Sequence, residues 1–147
     1  MNKLMGNSRE YIKSGGFSQY LYYQVGQAIR ASNGVQGKVV AEYGDENGFH
    51  SSLPKFSNTS EVYFKMDDKD PIVEQARIYV NRRVALDFDW GHTHGSYRKG
   101  IVHVHEWHKT KDGKWQRDSE PRQMTSYEIY RYGEIIHLAN PEARLLP

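Results

Sequence analysis

The sequence contains no cysteine among its 147 residues. This absence excludes disulfide bonds, thiol nucleophiles and zinc sites made of thiolates. It does not indicate a compartment, because a chain without cysteine suits reducing and oxidising surroundings alike.

The sequence also has no long apolar run. None approaches the roughly 18 residues of a membrane-spanning helix, and the N-terminus lacks the apolar core of a signal peptide. Internal repeats, linkers and low-complexity tracts are missing as well. We therefore expect one soluble domain over residues 1–147, cytoplasmic unless it is delivered elsewhere, with no membrane partner and with its oligomeric state left open.

The net charge is only +2, but the charge is unevenly distributed. The segment from Arg98 to Arg117 contains six basic and two acidic residues, a net +4 that leaves −2 for the rest of the chain. Basic side chains interleaved with aromatic rings are typical of nucleic-acid-binding surfaces, although an exposed basic hairpin explains the pattern equally well. The candidate nucleic-acid-binding residues are Lys99, Trp107, Lys109, Lys111, Lys114 and Trp115.

The hydrophobic pattern predicts an α+β domain with an N-terminal helix, an antiparallel meander sheet of four to six strands and a C-terminal helix. The helical N-terminal part covers residues 1–34, the sheet covers 38–117 and the C-terminal helix covers 125–140. The N-terminal helix is inferred from apolar residues at helical spacing between Phe17 and Ile29, with Asn33-Gly34 as its stop signal.

Six runs of residues have the character of strands. They lie at Lys38–Tyr43, Glu61–Met66, Ile72–Val80, Val84–Trp90, Gly100–His108 and Lys114–Arg117. A loop is predicted over 44–60, a tight turn at Asn81–Arg83 and a hairpin turn at Asp112-Gly113. For the final helix, Thr125 and Glu128 fit a capping box.

Five of the seven histidines fall within the 22 residues from Asp87 to His108. Histidine titrates near neutral pH and is the commonest metal ligand, so this segment is the candidate site. The runs Val84–Trp90 and Gly100–His108 are close enough to pair, and side chains on a strand alternate between faces. A register slip by one residue would bury aspartates and histidines without partners. The predicted register therefore puts Asp87, Asp89, His103 and His105 on one face, with His92 and His94 on the connecting loop.

Three interpretations of this cluster remain open. Histidines at i and i+2 on a strand lie about 6.5–7 Å apart and can chelate one ion, so His92, His94, His103 and His105 would suit zinc or manganese. Alternatively, histidines and carboxylates act as acid and base in RNA cleavage without any cofactor, and this second interpretation is favoured. The third is a polar sheet face without catalysis, as in a binding protein of phage or regulatory origin.

Three segments resemble a small domain found at the C-termini of bacterial polymorphic toxins and in phage-associated open reading frames. They are LDFDWGHTHGSYRKGIVHVHEW, GFHSSLPKFSNTSEVYFKM and IHLANPEA, and the similarity spans about Val39–Ala143. Its most specific part runs from Trp90 to Val104. Such domains are often ribonucleases of the barnase–colicin–RelE type. The resemblance therefore implies a metal-independent ribonuclease, an immunity protein as partner and delivery into a target cell as part of a larger toxin.

The first hypothesis is thus a ribonuclease with RNA as its substrate. The candidate catalytic residues are His92, His94, His103, His105, Asp87, Asp89 and Arg98. In this hypothesis His103 is the general base, a histidine of the loop is the general acid, an aspartate orients a histidine, and Arg98 or Lys99 offsets charge on the phosphate. The alternative is a metal-dependent hydrolase that uses the same residues to hold zinc or manganese.

Overall fold

The structure is a computed structural model and describes residues 9–14, 18–42, 52–57, 60–67 and 69–146. This part of the chain forms a sheet with one helix. The elements are β1 (Arg9–Ser14), β2 (Ser18–Arg30), β3 (Gln36–Glu42), β4 (Val62–Met66), β5 (Val73–Val80), β6 (Arg83–Asp89), β7 (His103–Lys109), β8 (Trp115–Arg117) and α1 (Ser126–Ala139). The strands follow one another in chain order, and every neighbouring pair is antiparallel except β3 with β4, which is parallel. Within the same residues, no helix has the length and apolarity needed to cross a membrane.

The predicted mixture of sheet and C-terminal helix is confirmed, but the predicted N-terminal helix is wrong. In its place lie β1 and β2, which raise the number of described strands to eight instead of the predicted four to six. The sheet also departs from the predicted antiparallel meander, because β3 and β4 pair in parallel. The apolar spacing was misleading because residues four apart, such as Val25 and Ile29, share a face in a strand as well as in a helix. Both side chains pack against the core from β2. Pairing of β2 with β3 and the strand preference of its tyrosines and valine decide between the two structures.

The later strands lie where the sequence predicts them, within a few residues at each end. The two residues Asn81 and Arg82 connect β5 to β6 with φ angles of 51° and 69°, the left-handed conformation of a tight hairpin turn. Gly113, with a φ of 85°, lies in the turn between β7 and β8. Of the predicted loop over 44–60, the structure describes residues 52–57 and 60, and the remainder, including His50, lies outside the described residues.

The sheet is covered on both faces. On one face α1 supplies Tyr132, Ile135 and Ile136, which pack against strand residues such as Phe64 and Phe88. On the other face, strand residues and Leu53 of segment 52–57 form a second apolar cluster. Its members are Tyr22, Val40, Leu53, Tyr63, Tyr79 and Val84. Because both faces are covered, a polar side chain on either face is buried and needs a partner.

The N-terminus of α1 is capped as predicted. The Glu128 backbone N–H donates to Thr125 Oγ1 at 3.1 Å, and the Thr125 N–H donates to Glu128 Oε1 at 2.9 Å. Arg122 adds a bidentate contact to the same carboxylate, at 2.9 and 2.7 Å. Burial raises the pKa of Glu128, but Arg122 and the Thr125 N–H outweigh burial and hold the pKa below its usual value.

Glu128→Gln is expected to lower the free energy of unfolding by about 1–2 kcal/mol near neutral pH, since it removes charge-assisted hydrogen bonds. A carboxylate with a lowered pKa in the folded state stabilises the fold above its unfolded pKa of about 4.3, and this stabilisation is lost as the pH falls through the folded value. Urea unfolding of both proteins at neutral and at acidic pH checks this. If the free energies of unfolding of wild type and Glu128→Gln differ by the same amount at both pH values, the Glu128 carboxylate does not stabilise the helix in this way.

Gly37 has no room for a side chain. A Cβ atom at this position would lie 2.6 Å from Cε2 of Phe64 and 3.3 Å from Cδ1 of Ile135, and the ring of Phe64 is fully buried. Gly37→Ala is therefore expected to destabilise the protein by about 1–3 kcal/mol through overpacking. Thermal or urea unfolding measures the loss. The matched control is Gln36→Ala at the neighbouring exposed position, which should change stability by less than about 0.5 kcal/mol.

Candidate functional site

The pairing of β6 with β7 builds the site. Asp87 lies opposite His105, and Asp89 lies opposite His103. The pair between them, Phe88 and Val104, faces the helix-side core. The predicted register is therefore confirmed, and the four polar side chains share the face opposite α1.

That shared face is covered rather than open. Asp87 and His103 are 0 % exposed, His105 is 1 % exposed and Asp89 is 4 % exposed. Arginines from β5 and β8 pair with the two aspartates, and rings from the loop between β6 and β7 lie over the two histidines. The chemistry of the four residues therefore depends on partners supplied by neighbouring elements.

A small turn in the loop between β6 and β7 carries a third histidine to the pair. The His94 N–H donates to the Tyr97 carbonyl at 2.8 Å and the Tyr97 N–H to the His94 carbonyl at 3.0 Å, and Gly95 supplies the positive φ that the turn requires. The His94 ring centroid lies 5.1 Å from that of His105 and 5.7 Å from that of His103. Tyr97 stacks on His103 at 5.5 Å between centroids. The exposed ring of His92 is also near, 6.2 Å from His103.

Backbone carbonyls fix the tautomers of the two strand histidines. Nδ1 of His105 lies 2.8 Å from the carbonyl of Asp118, and Nδ1 of His103 lies 3.3 Å from the carbonyl of Ile101. A carbonyl only accepts, so each Nδ1 carries the proton and each Nε2 presents a lone pair. Both Nε2 atoms are buried, and within the described ranges neither has a hydrogen-bond partner. A buried acceptor without a partner is unfavourable unless a ligand fills its place.

Three imidazoles converge on one point. One ring nitrogen from each of His94, His103 and His105 lies within 4.8 Å of the other two. Burial lowers the pKa of His103 to about 4, and burial also lowers the pKa of His105. Both rings are therefore neutral near pH 7, which is the protonation state that binds a metal ion.

A buried ionic network borders the histidines. Arg77 of β5 donates Nε and Nη2 to the two oxygens of Asp87, at 2.6 and 3.1 Å. Arg117 of β8 contacts Asp87 through Nε at 3.1 Å and also binds Asp89. Burial and the neighbouring Asp87 raise the pKa of Asp89 to about 7, and its Oδ2 lies 3.7 Å from Nε2 of His105. Sequence reasoning missed Arg77, although its register opposite Asp87 puts it on the same face.

The remaining candidates lie around the centre. Arg98 and Lys99 are exposed on the loop that carries His94, and the lysines of the β7–β8 hairpin, Lys109, Lys111 and Lys114, are exposed as well. Trp107 and Trp115 are partly buried, and their indole nitrogens donate to Asp87 and to the Val84 carbonyl. The structure thus gathers the predicted histidines and aspartates at one place and leaves the cations exposed on the loop and the hairpin. Tyr97 and Arg117 are the further site residues that the sequence reasoning did not assign.

Comparison of this chain with protein-family models, with curated proteins and with solved structures found no match. The resemblance to toxin domains therefore stays a prediction. The functional conclusion below is drawn from the geometry of the site.

Asp87 balances the charge of Arg77, which is itself only 5 % exposed. Asp87→Asn keeps the shape of the side chain but leaves this guanidinium buried without its counter-ion, which is expected to destabilise the fold by about 3–5 kcal/mol. The matched control is Asp118→Asn, which removes the exposed ion pair with His108 and should change stability by less than about 1 kcal/mol. Chemical denaturation of the two variants compares them, and equal losses would contradict a special role for the buried pair.

Proposed function

We propose that His94, His103 and His105 bind one divalent metal ion and that the protein is a metal-dependent hydrolase of phosphodiester bonds. The observation that carries this proposal is the pair of buried Nε2 lone pairs on His103 and His105, which lack any described hydrogen-bond partner and converge with His94. The Nδ1 atoms held by carbonyls complete the arrangement typical of histidine ligands.

Zinc is the first choice of ion. Three imidazole ligands with a fourth position open to solvent or substrate are typical of hydrolytic zinc centres, whereas manganese prefers more oxygen ligands. Zinc–nitrogen bonds of about 2.0–2.1 Å place the nitrogens about 3.3 Å apart, so the rings have to close by up to roughly 1.5 Å on binding. His94 makes this closure feasible because it lies on the loop and is only partly buried. A zinc ion held there would lower the pKa of a coordinated water to about 7 and so provide hydroxide at neutral pH.

The same geometry favours a metal centre over the metal-free mechanism. Nε2 of His103 is buried and has no hydrogen-bond partner in the described ranges, which suits a fixed ligand better than a base that has to exchange protons with its substrate. A pKa of about 4 makes His103 a weak base, whereas it leaves a metal ligand in its binding form. Metal-free cleavage of RNA with His103 as general base remains the competing prediction, and exposed His92 and Arg98 on the same loop are the residues that would serve it.

The surroundings of the centre support an anionic substrate. Arg98 and Lys99 are exposed on the loop that carries His94, so this loop offers two cations to an anionic substrate. An RNA phosphodiester suits this surface, and it is also the substrate that the resemblance to toxin ribonucleases implies.

Zinc binding tests the centre directly. Purified protein is expected to bind one zinc ion per chain, with an apparent stabilisation of about 2.7 kcal/mol at a free metal concentration of about one hundred times Kd. His94→Ala is the informative variant because His94 is only partly buried, and it should lose at least about tenfold in affinity. His137→Ala, at an exposed histidine of α1, is the matched control and should bind zinc as wild type does. Equal zinc binding by all three proteins would refute the centre.

Cleavage of total RNA tests the reaction. Activity is expected after addition of zinc or manganese, to be lost in excess EDTA and to be absent from His94→Ala. Activity that persists in EDTA and is lost in His103→Gln would instead establish the metal-free ribonuclease. Zinc binding without cleavage in any condition would retain the metal centre and remove the phosphodiesterase assignment.

A further inference from the structure

A groove lies on the same sheet face, beyond the ionic network. Its volume is about 540 Å³, and it is lined mainly by three aromatic rings and the end of the β5–β6 hairpin. We name it the aromatic groove and define it by Phe56, Val80, Asn81, Arg83, Val84, Ala85, Trp107 and Trp115.

The two tryptophans of the aromatic groove are held in place. Trp107 donates its indole N–H to Asp87 at 3.1 Å, and its ring lies 4.9 Å from the guanidinium carbon of Arg77. Trp115 donates its indole N–H to the Val84 carbonyl at 2.8 Å. Rigid rings with their polar atoms already satisfied offer apolar surface to a ligand with little further loss of conformational entropy.

Two cations, Arg83 and Lys55, lie against these rings. The guanidinium carbon of Arg83 lies 5.0 Å from the ring centroid of Trp115 and 5.8 Å from that of Phe56. The ammonium of Lys55 lies 5.8 Å from the ring centroid of Trp107. Neither cation forms an ion pair with a carboxylate of the described ranges. The guanidinium of Arg83 lies over these rings while the side chain remains exposed, and its planar fork suits a phosphate.

We infer that the aromatic groove binds a nucleotide of a single-stranded nucleic acid. A base stacks on the platform formed by the aromatic rings and the Arg83 plane, and the adjoining phosphates pair with Arg83 and Lys55. Unpaired cations against aromatic rings favour this ligand over an apolar peptide, which would leave both charges without a partner. Exposed Lys109 and Lys114 extend the same positive charge along the hairpin.

The position of the groove links it to the proposed reaction. His103, His105 and Trp107 alternate along one face of β7, and each step of two residues spans about 6.5–7 Å. Along the backbone, Trp107 therefore lies about 7 Å from His105 and about 14 Å from His103. A phosphate one or two nucleotides away from a base held on Trp107 is close enough to reach the histidines. The choice of substrate class rests on the proposed function, whereas binding at the groove does not need the metal.

Binding is measured by fluorescence anisotropy of labelled oligouridylate and oligothymidylate, at low salt and in EDTA so that no metal contributes. Wild type is expected to bind, with affinity that falls as salt rises. Arg83→Ala, at an exposed position, should weaken binding about tenfold, and Arg83→Lys should restore only part of it because lysine lacks the planar fork. The matched control is Arg30→Ala, which removes an equal charge from the exposed end of β2 and should change affinity by less than about twofold.

The two proposals fail separately. His94→Ala should bind the oligonucleotides as wild type does, because it leaves the aromatic groove intact. Absence of binding by wild type, or equal binding by wild type, Arg83→Ala and Arg30→Ala, overturns the groove assignment while zinc binding stays unaffected. A third outcome is an equal loss of affinity in both arginine variants, with heparin displacing the oligonucleotide as readily as unlabelled RNA does. This outcome would mean that the surface binds anions in general, and it also overturns the groove assignment. Loss of zinc binding alone leaves the groove assignment standing.

Discussion

The buried contact between Arg77 and Asp87 is the interaction on which this side of the sheet depends. The pair joins β5 to β6, and the partly exposed Arg117 extends it to β8 and to Asp89, so that ion pairs link three strands. An isolated buried carboxylate is strongly unfavourable, but two carboxylates bound by two guanidiniums approach neutrality. Arg77 also donates to the Leu53 carbonyl, which attaches segment 52–57 to the sheet. The network therefore fixes both the strands that carry the histidines and part of the layer that covers them.

Burial is the main reason why the histidines beside this network are neutral. Burial lowers the pKa of His103 and of His105, and the nearby guanidinium of Arg117 lowers the pKa of His105 further. The lone pairs on their Nε2 atoms are then the polar groups of this face that the described residues leave without a partner. No side chain of the described residues donates a hydrogen bond to either Nε2 atom. A divalent cation would satisfy both lone pairs, because a neutral imidazole binds a metal through this nitrogen.

Much of this arrangement follows from the sequence, and the exceptions have physical causes. The period of two and the burial penalty for unpaired aspartates were enough to predict the β6–β7 register and the shared face of His103 and His105. The N-terminal helix was wrong because spacings of four residues in β2 do not distinguish a helix from a strand, and its pairing with β3 is a tertiary contact. The burial of the site could not be predicted, because it depends on Arg77 and Arg117, whose approach to Asp87 requires the positions of β5 and β8. His94 was among the residues predicted to join the cluster, but which loop histidine converges on the strand pair depends on the turn that Gly95 allows.

The strand period has one further consequence for how the two sites relate. Residues at alternate positions of β7 point to one face, so a single seven-residue strand carries two candidate ligands, the central ring of the aromatic groove and a lysine in one row. Trp107 lies between the two sites and contacts Asp87, the residue opposite His105. The same carboxylate binds Arg77 and Arg117, so one side chain contributes to both surfaces. Asp87 is thus a shared structural support, since it holds Trp107 of the aromatic groove and also the two arginines that border the histidines.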